Sequence, residues 1–173
     1  ENHELYLMMT SRAEYRLLLR QDNADLRLMK IGHEIGLVDD KTYERLLWKE
    51  KAIDEEIQRL ERTTIGANER VQEFLSRKNS TLLKSGSTLA ELLKRPELDY
   101  FVLAEIDDKR PDLPYDVAEQ VNINIKYEGY IKRQKQQVAQ FKKLEGKKLD
   151  MDFDYSTVPS LRREAVQKLN LYK

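Results

Sequence analysis

Apolar residues recur at three- and four-residue steps through most of this chain, the spacing of helices with one buried face. The clearest run is Tyr43, Leu46, Ile53, Ile57 and Leu60, continuous but for the charged gap at Glu50. It predicts a helix that starts at Asp39-Asp40, whose carboxylates suit a helix N-terminus, and runs to about Arg62. A seam of that length predicts packing inside a bundle rather than a long coiled coil. Trp48 lies off the seam and is expected to cover a neighbouring element. Upstream, residues 24–35 mix apolar and charged side chains at helical spacing, and Gly36 is a plausible stop. Downstream, Ile65-Gly66-Ala67 breaks the pattern and Asn68 can cap a short helix through Arg77. Residues 78–87 are polar and loop-like. Thr88 with Glu91 makes a capping box, opening a helix that Pro96 stops.

The second half is less uniform. Residues 100–106 predict a short helical piece and 110–114 a rigid, proline-bounded connector, after which Asp116 and Glu119 suit a helix start. Val121, Ile123, Ile125 and Tyr127 alternate, which reads as a β-strand with a turn at Glu128-Gly129. The same stretch reads as helix through Val117, Val121, Ile125, Ile131, Val138 and Phe141. Gly129 inside such a helix costs about 1 kcal/mol against alanine, for which tight helix packing is the ordinary reason and close approach of a backbone or phosphate the other. Residues 146–155 form a charged linker, and Pro159 can start a last helix with Leu161, Val166 and Leu169.

Composition supports a helical protein. Charged residues make up 36% of the 173, while Gly (6) and Pro (4) are scarce. The length suits one domain, or one with an appendage, and allows a sizeable core. No apolar run approaches a membrane span, and the first residues lack the apolar core of a signal peptide. With no cysteine there is no disulfide, thiolate metal site or cysteine nucleophile. Net charge is zero, yet it is unevenly spread: 97–119 carries eight acids against two bases, and 126–148 eight bases against two acids. That asymmetry points to a polyanion-binding surface.

The opening stretch adds a pattern of its own. On a helix, Arg12, Arg16 and Arg20 form one column of i,i+4 steps that Glu14 does not share, and Ser11 with Glu14 makes a capping box. The wording Met9-Thr10-Ser11-Arg12-Ala13-Glu14-Tyr15-Arg16-Leu17, followed by Asp22-Asn23-Ala24-Asp25-Leu26-Arg27-Leu28, resembles the glucose-inhibited division protein A (GidA/MnmG) family. A second block, Val117 to Val121 and Lys126-Tyr127-Glu128-Gly129-Tyr130-Ile131 to Arg133-Gln134, resembles it too. The two fall in the family's order, and the resemblance covers essentially the whole chain.

This resemblance implies an all-α fold: an irregular multi-helix bundle with one long central helix, and helix rather than hairpin after Val117. It divides the chain into a junction with a flavin domain (1–20), a helical domain (21–148) and the start of a truncated terminal helical subdomain (149–173). The family's members are cytoplasmic flavoenzymes that use FAD, NADH and methylene-tetrahydrofolate. With a GTPase partner, they build an aminomethyl or carboxymethylaminomethyl group at C5 of the tRNA wobble uridine. This chain has no Gly-x-Gly-x-x-Gly or Walker A motif, and His3 and His33 lack partners at ligand or triad spacing. It is therefore expected to hold tRNA and partner rather than to catalyse, with no catalytic, cofactor or metal residues of its own.

The candidate tRNA contacts are Arg12, Arg16, Arg20, Lys132, Arg133 and Lys135 for phosphates, and Tyr127 and Tyr130 for unpaired bases. Core packing is the ordinary alternative for each tyrosine, and a solvated helix end for Lys142, Lys143, Lys147 and Lys148. Glu14 and Tyr15 are candidates for the domain junction. The competing expectation is a protein-interaction domain, in which the acidic block and long helices dock the GTPase or a second subunit, as in a homodimer, and tRNA is held elsewhere.

Overall fold

The computed structural model describes residues 15–146, 148 and 153–172. Among them are seven α-helices and one two-stranded pairing: α1 (Ala24–Glu34), α2 (Asp40–Arg62), β1 (Thr64–Ile65), α3 (Glu69–Arg77), β2 (Ser87–Thr88), α4 (Leu89–Leu93), α5 (Tyr115–Lys126), α6 (Glu128–Glu145) and α7 (Arg163–Leu171). The helical bundle expected from the sequence is what forms. Its central helix is α2, 23 residues long, which packs against α1, α4 and α5. The chain divides into two compact units, Glu1–Gln134 and Lys135–Lys173.

In the first unit, local chemistry sets the helix ends. Asp39 accepts a hydrogen bond from the Thr42 N–H at 2.7 Å and Asn68 one from the Val71 N–H at 2.9 Å, each satisfying an orphan donor. Thr88 and Glu91 complete the reciprocal capping box of α4. Gly36 takes a φ of +79° after α1, and the Leu37 N–H reaches back to the Gly32 carbonyl at 2.8 Å. That left-handed residue lets the chain reverse into α2.

The apolar faces meet in one core: Ile53 and Leu60 of α2, Phe74 and Leu75 of α3, Leu89, Leu92 and Leu93 of α4, and Val117 and Val121 of α5. Charged groups are buried with them. Lys49 is 7% exposed and holds Asp25 of α1 at 2.7 Å and Asp116 of α5 at 2.9 Å. Burial works against its charge, but the two aspartates outweigh this and raise its pKa above the usual lysine value. Glu56 and Asp107 grip Arg59 from both sides, at 2.7 and 2.5 Å, and the Tyr100 hydroxyl donates to Glu56 at 2.8 Å. Trp48, off the apolar seam, remains 47% exposed.

Several features depart from the sequence expectations. Residues 15–20 form a turn instead of a helix. Tyr15 is left-handed (φ 54°), and the N–H groups of Leu18 and Leu19 converge on its carbonyl. The single helix expected after Val117 is two, α5 and α6, parted at Tyr127 (φ −102°, ψ 11°). Hydrogen bonds from Tyr127 N–H to Ile123 and from Ile131 N–H to Tyr127 still bridge the break. It falls where β-branched α5 residues give way to Gly129, all weak helix formers. The β1–β2 pairing, Thr64 opposite Thr88 and Ile65 opposite Ser87, was not expected. In the second unit, α7 starts at Arg163 rather than Pro159, which lies in a turn. Residues 102–105, expected as helix, form a single 3-10 turn. Also in the second unit, a 3-10 turn at Tyr155–Thr157 is capped by Asp154, which accepts from the Ser156 N–H at 2.9 Å.

Candidate nucleic-acid surface

Tyr127 stands at the α5–α6 break and Tyr130 in the first turn of α6, three residues apart, so their rings emerge side by side. The ring centroids are 6.5 Å apart, tilted by 57°, and the side chains are 46% and 56% exposed. They belong to the surface and not to the core. The Arg133 guanidinium lies 4.8 Å above the Tyr130 ring, a cation–π contact that presets its position. Lys132 and Lys135 are exposed on the same helix. Among the described residues, no carboxylate forms an ion pair with Lys132, Arg133 or Lys135. Glu128, the acid in the first turn, is held instead by Lys94 of the α4 end at 2.8 Å. Hydrogen bonding to Lys94, with Lys132 also near, keeps its carboxyl below the usual glutamate range.

The acidic block is in the opposite condition. Glu105 pairs with Arg77 at 2.8 Å and Lys78 at 3.5 Å, Asp107 with Arg59, Asp108 with Arg70 at 2.9 Å and Asp116 with Lys49. The Asp99 carboxylate accepts the Val102 N–H at 2.8 Å. Internal pairing therefore absorbs much of the negative block, whereas Lys132, Arg133 and Lys135 have no ion pair among the described residues.

The arginines of the opening stretch do not join this surface as a column. Arg16 is exposed. Arg20 turns inward: its guanidinium donates to Asp22 at 3.0 Å, to the Leu17 carbonyl at 2.5 Å and to Gln120 of α5 at 3.2 Å. Burial pushes the Asp22 carboxyl up, but the bonds from Arg20 and Gln120 prevail and hold it below the usual aspartate range. Tyr15 is half-buried. Arg12 and Glu14 lie outside the described residues.

Sequence reasoning missed one participant and misjudged another. Lys94 stands 34 positions from Glu128, beyond any local pattern. Lys126 was counted in the basic block, but its ammonium is engaged by the carbonyls of Arg95 and Pro96 at 3.2 and 3.3 Å. Among the described residues, no cluster of three or more His, Asp or Glu side chains is placed to hold a metal ion. A shallow depression is lined by Glu55, Gln58, Arg59, Arg62 and Thr63. Of its walls, Arg59 is already engaged by Glu56 and Asp107. Among the described residues, no helix is long and apolar enough to cross a membrane.

Residues 40–135 match the model of the tRNA modifying enzyme MnmG/GidA C-terminal helical domain. The chain is 62% identical over 173 residues to the tRNA uridine 5-carboxymethylaminomethyl modification enzyme MnmG of Lachnoclostridium phytofermentans, matching all of this chain and 28% of that protein. It is 55% identical over 168 residues to the protein of the same name from Caldicellulosiruptor saccharolyticus, matching 97% of this chain and 27% of the relative. The fold is similar to Aquifex aeolicus GidA in its form II crystal, with a TM-score of 0.64 and 30% identity over 92% of this chain and 24% of that one. The chain thus spans about a quarter of the length of the relatives it matches.

Proposed function

This chain belongs to the MnmG/GidA C-terminal helical domain family, and from that premise we propose that it is the tRNA-holding part of a flavin-dependent tRNA-modifying enzyme. The enzyme would act in the cytoplasm, adding a (carboxymethyl)aminomethyl group to C5 of the wobble uridine. The observation that carries the proposal is the uncompensated cation run of α6 beside two exposed tyrosines. Lys132, Arg133 and Lys135 take phosphates, with Arg16 a further cation, while Tyr127 and Tyr130 meet unpaired bases. Arg20 instead braces the segment before α1, and residues 1–20, with Glu14 and Tyr15, serve as the junction to a flavin domain. None of the six glycines falls in a dinucleotide-cradling motif. FAD, NADH and methylene-tetrahydrofolate are accordingly assigned to the part of the relatives that this chain does not span, and no reaction step is assigned to its own residues.

The test is tRNA binding at several salt concentrations, with K132E/R133E/K135E beside the parent chain. Loss of affinity, together with a salt slope shallower by about 2–3, is expected for three phosphate contacts. Equal affinity and equal slope would sink the assignment.

A second reading, docking of the GTPase or a second copy, has one observation in its favour. Leu28 and Ile31 of α1 and Ile35 at its C-cap form an apolar stripe and are 54%, 54% and 65% exposed, as protein interfaces require. Capture of the purified GTPase by the parent chain without tRNA, lost in L28S/I31S, would support it.

A further inference from the structure

We propose that Gly129 is a bare-backbone contact point for an unpaired RNA segment, with Lys132 and Arg133 gripping its phosphates and Tyr130 stacking on a base; this rests on the tRNA-holding role above. A glycine in a helix needs a reason, because alanine is the better helix former at almost any position. Among the described residues, the usual intramolecular reasons are absent. Gly129 does not have a positive φ, and a Cβ built on it would meet nothing within 4 Å. The residue is exposed, so tight packing against the described residues does not account for it. What remains is a ligand that approaches the helix backbone.

The neighbours identify that ligand's chemistry. At 3.6 residues per turn, Lys132 and Arg133 flank Gly129 at about 60° on one side and about 40° on the other, with Tyr130 just beyond Arg133. The missing side chain thus opens a notch between two exposed cations, next to an aromatic face. Arg133 is already seated over Tyr130 at 4.8 Å, so its remaining N–H donors are presented without first being ordered. The nearby carboxylate, Glu128, is neutralised by Lys94 at 2.8 Å and does not repel an anion. An unpaired strand offers phosphates and an open base together, whereas a duplex hides its base faces in the stack.

Gly129→Ala separates this role from a structural one. In the 173-residue chain it is expected to raise the Tm by about 2–4 °C, since it improves helix propensity without a clash. It should also weaken binding to an RNA stem-loop severalfold, while binding to the same sequence closed into a duplex is unchanged. Tyr130→Leu should lower stem-loop affinity about fivefold or more through lost stacking. A fall in Tm for Gly129→Ala would reveal an intramolecular need for glycine and overturn the inference. A rise in Tm with stem-loop affinity intact would overturn it too. If K132E/R133E/K135E loses tRNA while Gly129→Ala does not, the tRNA-holding role stands and the notch falls. If neither variant changes binding, both fall.

Discussion

Tyr100 illustrates how a single side chain ties stability to pH. Its ring is buried, and its hydroxyl donates to Glu56, which is 3% exposed. Burial first, and then the neighbouring carboxylate, push its pKa up to about 12, against about 10 in an unfolded chain. Because the folded pKa is the higher one, the associated stability is complete below about pH 10 and is lost as pH rises through about 12. Tyr100→Phe is expected to destabilise the chain by about 1–2 kcal/mol at neutral pH and to flatten the alkaline limb. Urea midpoints for both chains from pH 7 to 12 provide the check, and parallel curves would refute it. Neither Tyr100 nor its partners stood out in the sequence. Patterning assigns charges to the surface, so Glu50 reads as a gap in the α2 seam, while nothing in the pattern marks Lys49 and Glu56 as buried. Those two are the polar residues α2 buries, each answered by partners remote in sequence.

Helix ends were far more legible, because a cap acts over only three or four residues. Asp39, Asn68, Gly36 and the Thr88–Glu91 box each stand where the sequence placed them. The β1–β2 pair was invisible, since two-residue strands have no period to detect. The break at Tyr127 was signalled only by the alternative turn at Glu128-Gly129, and the helical spacing that continues across it argued for one helix. Arg20 shows the limit of column arguments, since its turn depends on a left-handed Tyr15 and on Gln120, 100 positions away. The short α4 depends heavily on its cap, having five residues of which four are buried. Thr88→Ala should therefore lower the Tm by about 2–4 °C, from a loss of about 1 kcal/mol. Thr88→Ser, which keeps the hydroxyl, should restore most of it. A calorimetric scan of the three chains decides, and an unchanged Thr88→Ala melt would refute the role of the box.

Across the whole molecule, the charge blocks read from the sequence were correctly counted, but their meaning depended on pairing that only the fold reveals. The paired acids carry a consequence at low pH. Hydrogen bonds from Arg77 and Arg70 lower the pKa values of Glu105 and Asp108, and bonds from Arg20 and Lys49 prevail over burial to lower those of Asp22 and Asp116. Folded values below the unfolded ones mean stability that is present above about pH 4 and lost as pH falls further. Urea midpoints should stay level from pH 7 to about 5 and then drop. A level profile down to pH 3 would contradict this.

Gln120 binds the two ends of the first unit together. It is 1% exposed, and its amide donates to the main chain and carboxylate of Asp22 at 2.9 and 2.7 Å while its oxygen receives Arg20. The segment ahead of α1 is thereby the keystone of a closed ring. When it lifts away, a sealed amide is stranded inside α5 and must be reached by water. Fraying at the front of the unit and amide-hydrogen exchange in the middle of α5 are in this way one event, with a single opening free energy shared between them.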